Sequence, residues 1–147
     1  MVNEVDSISI EEFHKEIDLI QACISRMSSN SFCLKGWLVS ILAIIIVIAP
    51  ENSNKYIVLL ISLLIIIAFW SLDSFFLRTE KMYRKMYEWV LHRRKENERE
   101  MQYDLNPQRF ESAVDSPIKV MFSVTLRWFY GCVAIADVLI ALYYILN

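Results

Sequence analysis

Three long apolar blocks restrict the fold of this chain more than any other feature of its sequence. They cover residues 37–49, 56–72 and 128–146, and Asp137 is the single charged residue within them. A water-soluble domain of this length would intersperse apolar and polar residues at the period of a helix or a strand. Because the charged residues instead crowd into the stretches between the blocks, the sequence predicts a small integral membrane protein.

The apolar blocks predict three transmembrane helices, and the fold class is therefore all-α. The first span is long enough, at about 27 Å, if the Lys35 side chain reaches the lipid headgroups. Pro50 then ends this helix, and the polar residues 51–55 supply a turn. Residues 32–77 are accordingly predicted to form a transmembrane helical hairpin, and residues 119–147 the third transmembrane helix.

The distribution of positive charge predicts the orientation of the chain. Of the 15 Lys and Arg residues, Lys55 is the one in the predicted turn, whereas most of the others precede residue 37 or follow residue 77. The positive-inside rule therefore places the N-terminus and residues 78–118 in the cytoplasm. Residues 1–31 and the helix and loop of residues 78–118 would form a cytoplasmic helical layer.

Residues 1–31 contain an amphipathic helix with a regular apolar edge. Ser9 and Glu12 have the spacing of a capping box, and apolar residues then recur at steps of three and four, as in a coiled coil. This edge, the seam, consists of Ile10, Phe13, Ile17, Ile20, Ile24 and Met27. The seam can pack on the apolar stripe of residues 82–90 within the same subunit, or it can associate with a second copy or another partner.

Asp137 is the first candidate for a functional residue. Its position within the third span places it near the bilayer midplane, where an acidic side chain costs about 2.5–3.5 kcal/mol on insertion scales. Gly131, Ala134 and Ala141 share its helix face, and small residues allow helices to approach closely. The face is predicted to be an interface or to line a pore, and Asp137 either hydrogen-bonds between helices or borders a water-filled path.

Asp73 and Arg78 form a second candidate pair at the cytoplasmic boundary of the second span. Asp73 lies just inside the boundary and Arg78 just outside it, about 7.5 Å further along a helix. Asp73 is predicted to pair with Arg78, with Arg127 or with the N-terminus of a neighbouring helix. A functional role for Asp73 is the alternative.

The sequence predicts no enzyme and no cofactor. His14 and His92 lack a Cys or His at ligand spacing, which argues against a metal site, and no catalytic constellation is visible. Two glycines leave no phosphate-binding loop, and a net charge of -2 argues against sequence-specific nucleic-acid binding. The basic run of residues 92–95 is offset by nearby Glu residues and is typical of a solvated helix.

The stretch of residues 69–87, FWSLDSFFLRTEKMYRKMY, resembles a signature of small multi-pass membrane proteins from bacterial antiphage defence loci. The sequence of residues 20–37 also resembles the corresponding part of that family. Its Phe-Trp-x-Leu-Asp-x-x-x-Leu-Arg pattern falls on Phe69, Trp70, Leu72, Asp73, Leu77 and Arg78. The resemblance implies a transmembrane effector associated with a retron or with cyclic-oligonucleotide signalling. Such an effector acts as a toxin that halts growth of the infected cell, as in abortive infection.

Such an effector would oligomerise in the bacterial inner membrane and permeabilise or depolarise it. Its expected partners are the lipid bilayer, further copies of itself, and a defence protein such as a reverse transcriptase with its nucleic acid or a nucleotide-signalling protein. The alternative function is a non-lytic membrane scaffold or accessory subunit that tethers a cytoplasmic complex.

Thiol labelling tests the predicted topology. In a chain whose native cysteines are replaced by serine, Ser53→Cys should react with a membrane-impermeant thiol reagent in intact spheroplasts, because it lies in the outer turn. Asn97→Cys should stay unlabelled until the membrane is disrupted. Labelling in the reverse order would contradict the orientation.

Overall fold

The computed structural model describes residues 8–48 and 54–146, and all the regular structure in these two ranges is helical. The elements are α1 (Ile10–Ile48), α2 (Lys55–Lys95), a 3-10 helix (Pro107–Ala113), α3 (Pro117–Met121) and α4 (Val124–Leu146). Helices α1, α2 and α4 are long and apolar enough to cross a membrane. The predicted all-α membrane fold is confirmed. Pro50 and residues 51–53 of the predicted turn lie outside the described residues.

Side-chain caps explain where the helices begin. The predicted capping box forms at the start of α1, where the Glu12 amide donates to Ser9 Oγ over 3.1 Å and the Ser9 amide donates to Glu12 Oε2 over 3.2 Å. Asn54 Oδ1 accepts from the Tyr56 amide at the start of α2. Ser116 caps α3 in the same way. These side chains satisfy amide groups that have no partner within the helix.

Helices α1 and α2 run antiparallel and are much longer than a membrane is thick. With 39 and 41 residues they extend about 58 and 61 Å at about 1.5 Å per residue, against about 30 Å for the hydrocarbon core. The outer half of each helix therefore projects beyond the membrane. Helix α1 passes through residue 31 without interruption, so the amphipathic helix and the first span are one element.

The bundle has two apolar cores, one in each half. The distal core, outside the membrane, consists of Ile20, Cys23, Tyr83, Met86 and Val90. The membrane core joins α1, α2 and α4 and consists of Leu38, Leu42, Ile66, Leu126 and Tyr130. The seam residues Ile17, Ile24 and Met27 pack on the distal core within the same subunit, whereas Phe13 is half-buried further along α1.

The segment that precedes α4 is attached to α2 by side chains of α2. Trp70 Nε1 donates to the Met121 carbonyl over 2.7 Å, and Ser74 Oγ donates to the Pro117 carbonyl over 3.0 Å. The Trp70 ring also stacks on Tyr130, with ring centroids 5.6 Å apart. These contacts position α3 at the membrane boundary and direct α4 back along α2.

Burial predicts unequal effects for two isoleucines of α1. Ile20→Ala should lower the free energy of unfolding by about 2–5 kcal/mol, because Ile20 is 1% exposed in the distal core. Ile10→Ala is the matched control, since Ile10 is 74% exposed and its truncation should change stability by less than about 0.5 kcal/mol. Denaturation of the purified protein in detergent measures both. Equal losses would contradict the packing of the seam on α2.

Candidate functional site

A buried polar cluster around Asp73 connects the three long helices. The Asp73 side chain is fully buried. Ser31 of α1 donates to its Oδ1 over 2.5 Å, and the Lys35 ammonium lies 2.5 Å from its Oδ2. Tyr130 of α4 donates to the same Oδ2 over 3.0 Å and also contacts the Phe69 carbonyl at 3.3 Å. One carboxylate on α2 thus receives hydrogen bonds from both α1 and α4.

The charge of the Asp73 carboxylate is compensated within the cluster by the Lys35 ammonium. An isolated carboxylate in an apolar interior is costly, and an opposite charge with good hydrogen bonds offsets much of that cost. Lys35 supplies the charge and donates as well to the oxygen atoms of Ser31, while its side chain keeps 22% exposure. The length of the first span was argued on the condition that Lys35 reaches the headgroups, whereas the Lys35 ammonium turns inward to Asp73. The geometry indicates that this cluster fixes the helices in place.

Arg78 binds the loop before α3 and does not pair with Asp73. Its Nε donates to the Asp115 carbonyl and its Nη1 to Glu111, both over 3.1 Å. Lys119 lies 2.6 Å from the Asp115 carboxylate, and its hydrogen bond lowers the pKa of Asp115. Arg78 therefore fixes the loop at the point where α2 leaves the membrane, as an interfacial Arg can.

Asp137 lies on α4 at the other candidate position and has a different environment. Ser62 of α2, itself 3% exposed, donates to Asp137 Oδ2 over 2.6 Å. The Asp137 side chain is half-buried, and within residues 8–48 and 54–146 no Lys, Arg or His forms an ion pair with it. Asp73 and Asp137 thus differ in whether a carboxylate has a cationic partner, which affects its cost in a membrane. Asp73 has such a partner in Lys35, and Asp137 has none in the described residues.

The small residues near Asp137 share the face of α4 that turns towards α2, and this face has open space at Gly131. Gly131, Ala134 and Ala141 are half-buried, as is Asp137 itself. A Cβ atom built at Gly131 would meet no atom within 4 Å. Because nothing in the described part of the subunit fills the space at Gly131, this end of the face can accept another helix without rearrangement of the subunit.

Sequence reasoning missed four residues of these two clusters, namely Ser31, Lys35, Ser62 and Tyr130. An antiparallel hairpin with its turn near residue 52 brings residue 35 level with about residue 69 of α2, roughly one helical turn from Asp73. A long Lys side chain can span that distance, so the pairing of Lys35 with Asp73 was accessible from the sequence. The contacts of Ser62 and Tyr130 depend on how α4 rotates and slides along α2. No comparable signal in the sequence specifies that placement.

The described residues contain no candidate metal centre, and comparison with known proteins yields no match. In the described ranges, no group of three or more His, Cys, Asp or Glu side chains could hold a metal ion. No protein-family model, curated protein or solved structure matches the chain. The function therefore has to be argued from the geometry of the polar groups within the membrane helices and from the sequence resemblance.

The Asp73–Lys35 pair predicts that the effects of substituting each residue on stability are strongly non-additive. Asp73→Asn should lower stability on the order of 3 kcal/mol, because the Lys35 ammonium would lose its counter-charge in a largely buried site. Adding Lys35→Met should recover most of this loss, since the double variant carries no charge there. Thermal unfolding in detergent micelles measures each variant. A double variant that is as unstable as the sum of both single variants would contradict charge compensation as the cause.

Proposed function

We propose that this chain is a transmembrane effector of a bacterial antiphage defence system, which oligomerises in the inner membrane and permeabilises or depolarises it. The observation that carries the proposal is the half-buried carboxylate of Asp137, which has no ion-pair partner in the described residues and lies in a helix long and apolar enough to cross a membrane. Depolarisation would arrest growth of the infected cell, as in abortive infection. The resemblance of residues 69–87 to defence effectors supports the biological setting.

The carboxylate of Asp137 favours assembly for energetic reasons. A carboxylate near the bilayer midplane costs about 2.5–3.5 kcal/mol when it faces lipid, and this cost falls when protein or water surrounds it. Association through the face of Asp137 would remove each copy of the carboxylate from lipid. Ser62 already orients the side chain, so the copies would present their carboxylates in a repeated arrangement.

Several copies of Asp137 arranged around an axis would create a polar lining within the membrane. Rings of acidic side chains select cations in many channels. The open space at Gly131 would let neighbouring helices approach closely at the same face. The proposed assembly therefore combines a packing surface with a charged lining, both contributed by α4.

Orientation and partners form part of the proposal. The N-terminus and the distal core would lie in the cytoplasm, where the positive-inside rule puts them. A defence partner, such as a reverse transcriptase with its nucleic acid or a nucleotide-signalling protein, would act on this half and release the effector. No direct sequence-specific binding of nucleic acid by this chain is proposed.

The outer half of the bundle favours a second candidate function, a non-lytic scaffold that tethers a cytoplasmic complex. The distal core gives α1 and α2 a packed domain outside the membrane, which could serve as a docking platform. Inducible expression with a membrane-potential dye separates the two functions. An effector released from its partner should depolarise the membrane, and a scaffold should leave the potential unchanged.

Substitutions at Asp137 test the proposed pore. Asp137→Leu should insert as well as the parent or better, because the cost of the midplane charge is removed, but depolarisation at equal protein level should be lost. Asp137→Asn can still hydrogen-bond with Ser62 but carries no charge, so it should assemble while ion conductance or selectivity falls. Full depolarising activity of Asp137→Leu would exclude the carboxylate from the mechanism.

Gly131→Leu tests the interface without disturbing the subunit. A Cβ atom at Gly131 meets open space in the subunit, so monomer stability should change little while crosslinked oligomers and depolarisation decrease. Ala136→Leu is the matched control, since Ala136 is exposed and lies about 140° from Gly131 around α4. Similar effects of both substitutions would contradict a specific interface at Gly131.

A further inference from the structure

A buried ion pair connects the membrane-distal ends of α1 and α2. The guanidinium of Arg94 binds both carboxylate oxygen atoms of Glu16, with Nε 2.8 Å from Oε2 and Nη2 2.9 Å from Oε1. The two side chains are 1% and 2% exposed. This bidentate pair is the best-shielded ion pair of the described residues, and a charge so deeply buried depends on its partner.

The same ion pair organises the loop of residues 96–104, which follows α2. The Arg94 guanidinium also donates to the Glu98 carbonyl and, over 3.2 Å, to the Glu100 carbonyl. The Tyr103 amide donates to Glu16 Oε1 over 3.0 Å. The loop is therefore built around Arg94, while Glu16 of α1 neutralises the charge at its centre.

Strain in the loop makes its conformation dependent on these contacts. Asn97, Met101 and Tyr103 have φ angles of 60°, 53° and 62°, although none of them is glycine. Each residue in this left-handed region costs on the order of 1 kcal/mol or more, and such conformations persist where the surroundings enforce them. Loss of Glu16 or Arg94 would remove that enforcement.

The N-terminal end of α1 closes over the loop. The Ile8 amide donates to Asn97 Oδ1 over 2.9 Å, and the Tyr103 hydroxyl donates to the Glu12 carbonyl over 3.2 Å. Movement of residues 8–16 would thus break the contacts that hold the loop. Conversely, a rearranged loop would leave the first turns of α1 without their polar partners.

A weak stretch of α1 lies between its two halves. Residues 28–31 read Ser-Ser-Asn-Ser, and these residue types favour helix less than Ala or Leu do, because their side chains compete for backbone hydrogen bonds. The helix stays continuous through this stretch while the distal core holds its outer half on α2. Residues 28–31 are therefore the natural hinge if that half is released.

We propose that Glu16, Arg94 and the loop of residues 96–104 form a latch that holds the outer half of α1 on α2. Opening of the latch frees the seam, which then binds the Tyr83–Met86–Val90 surface of a second copy. The second copy fits because it offers the same surface that the seam contacts within the subunit, so the exchange recreates the distal core between subunits. This inference rests on the proposed function, for which it supplies the route from resting subunit to oligomer.

Native Cys23 reports on the latch directly, because it is buried in the distal core beneath the seam, whereas Cys33 and Cys132 are exposed. In full-length protein that carries Cys33→Ser and Cys132→Ser, purified in nanodiscs, Cys23 should react slowly with a maleimide. Glu16→Gln and Arg94→Gln should each accelerate the reaction at least about tenfold. Lys85→Gln is the matched control on α2, since Lys85 forms an ion pair with Glu88 in which both side chains are exposed, and it should leave the rate unchanged.

A crosslink between two tagged chains tests the exchange. One chain keeps Cys23 alone, and the other carries Cys23→Ser with Met86→Cys, so a short bismaleimide can join them only between subunits. The joined species should appear when both chains carry Glu16→Gln and be scarce without it. A folded Glu16→Gln protein that labels rapidly but never crosslinks would overturn the exchange.

Two further measurements of Cys23 labelling test the latch. Met101→Gly relieves strain at one left-handed residue and should slow labelling of the Glu16→Gln protein about threefold, which a merely unfolded variant would not show. Unchanged Cys23 labelling in both latch variants would overturn the latch. Labelling and crosslinking do not require ion conduction, so they can succeed even if the Asp137 variants refute the proposed function.

Discussion

The placement of the helices within the membrane depends on the compensated charge of Asp73. This carboxylate is fully buried on α2, and it accepts hydrogen bonds from Ser31 and Lys35 of α1 and from Tyr130 of α4. Apolar packing alone distinguishes poorly between rotations of a helix in lipid, because lipid chains are as apolar as the helix surface. A buried ion pair with fixed partners selects one rotation and one level for all three helices.

Asp73 and Asp137, the two acidic residues within the described part of the predicted spanning segments, differ in the roles that their surroundings favour. Asp73 forms an ion pair with Lys35 of the same subunit, so its charge is compensated, and this arrangement suits a permanent contact between helices. Asp137 has a serine as its partner and is half-buried on a face that has open space at Gly131. An acidic side chain without an ion-pair partner within a membrane is a candidate functional position, and for that reason the proposed assembly is centred on α4.

The length of α1 and α2 links the membrane to the distal core mechanically. Both helices pass from one core to the other without a break in the described residues, so the position of the outer half of α1 is coupled to the Asp73 cluster through one rigid element. The latch at Glu16 and Arg94 is at the far end of this element. A change there can alter the availability of the seam without direct contact with the membrane, which is the property expected of a regulated effector.

The sequence by itself determined the all-α membrane fold, because a long continuous run of apolar residues satisfies its own backbone hydrogen bonds in lipid when it forms a helix. It also predicted the capping box at Ser9, and it singled out Asp73 and Asp137 as costly groups. Only the tertiary structure decided their partners. The hairpin brings Lys35 within reach of Asp73, but the choice of Lys35 over Arg78, the place of Ser62 beside Asp137 and the pairing of Arg94 with Glu16 depend on the rotation and level of packed helices. Residue periodicity restricts each residue to a face but does not fix that placement across the bundle.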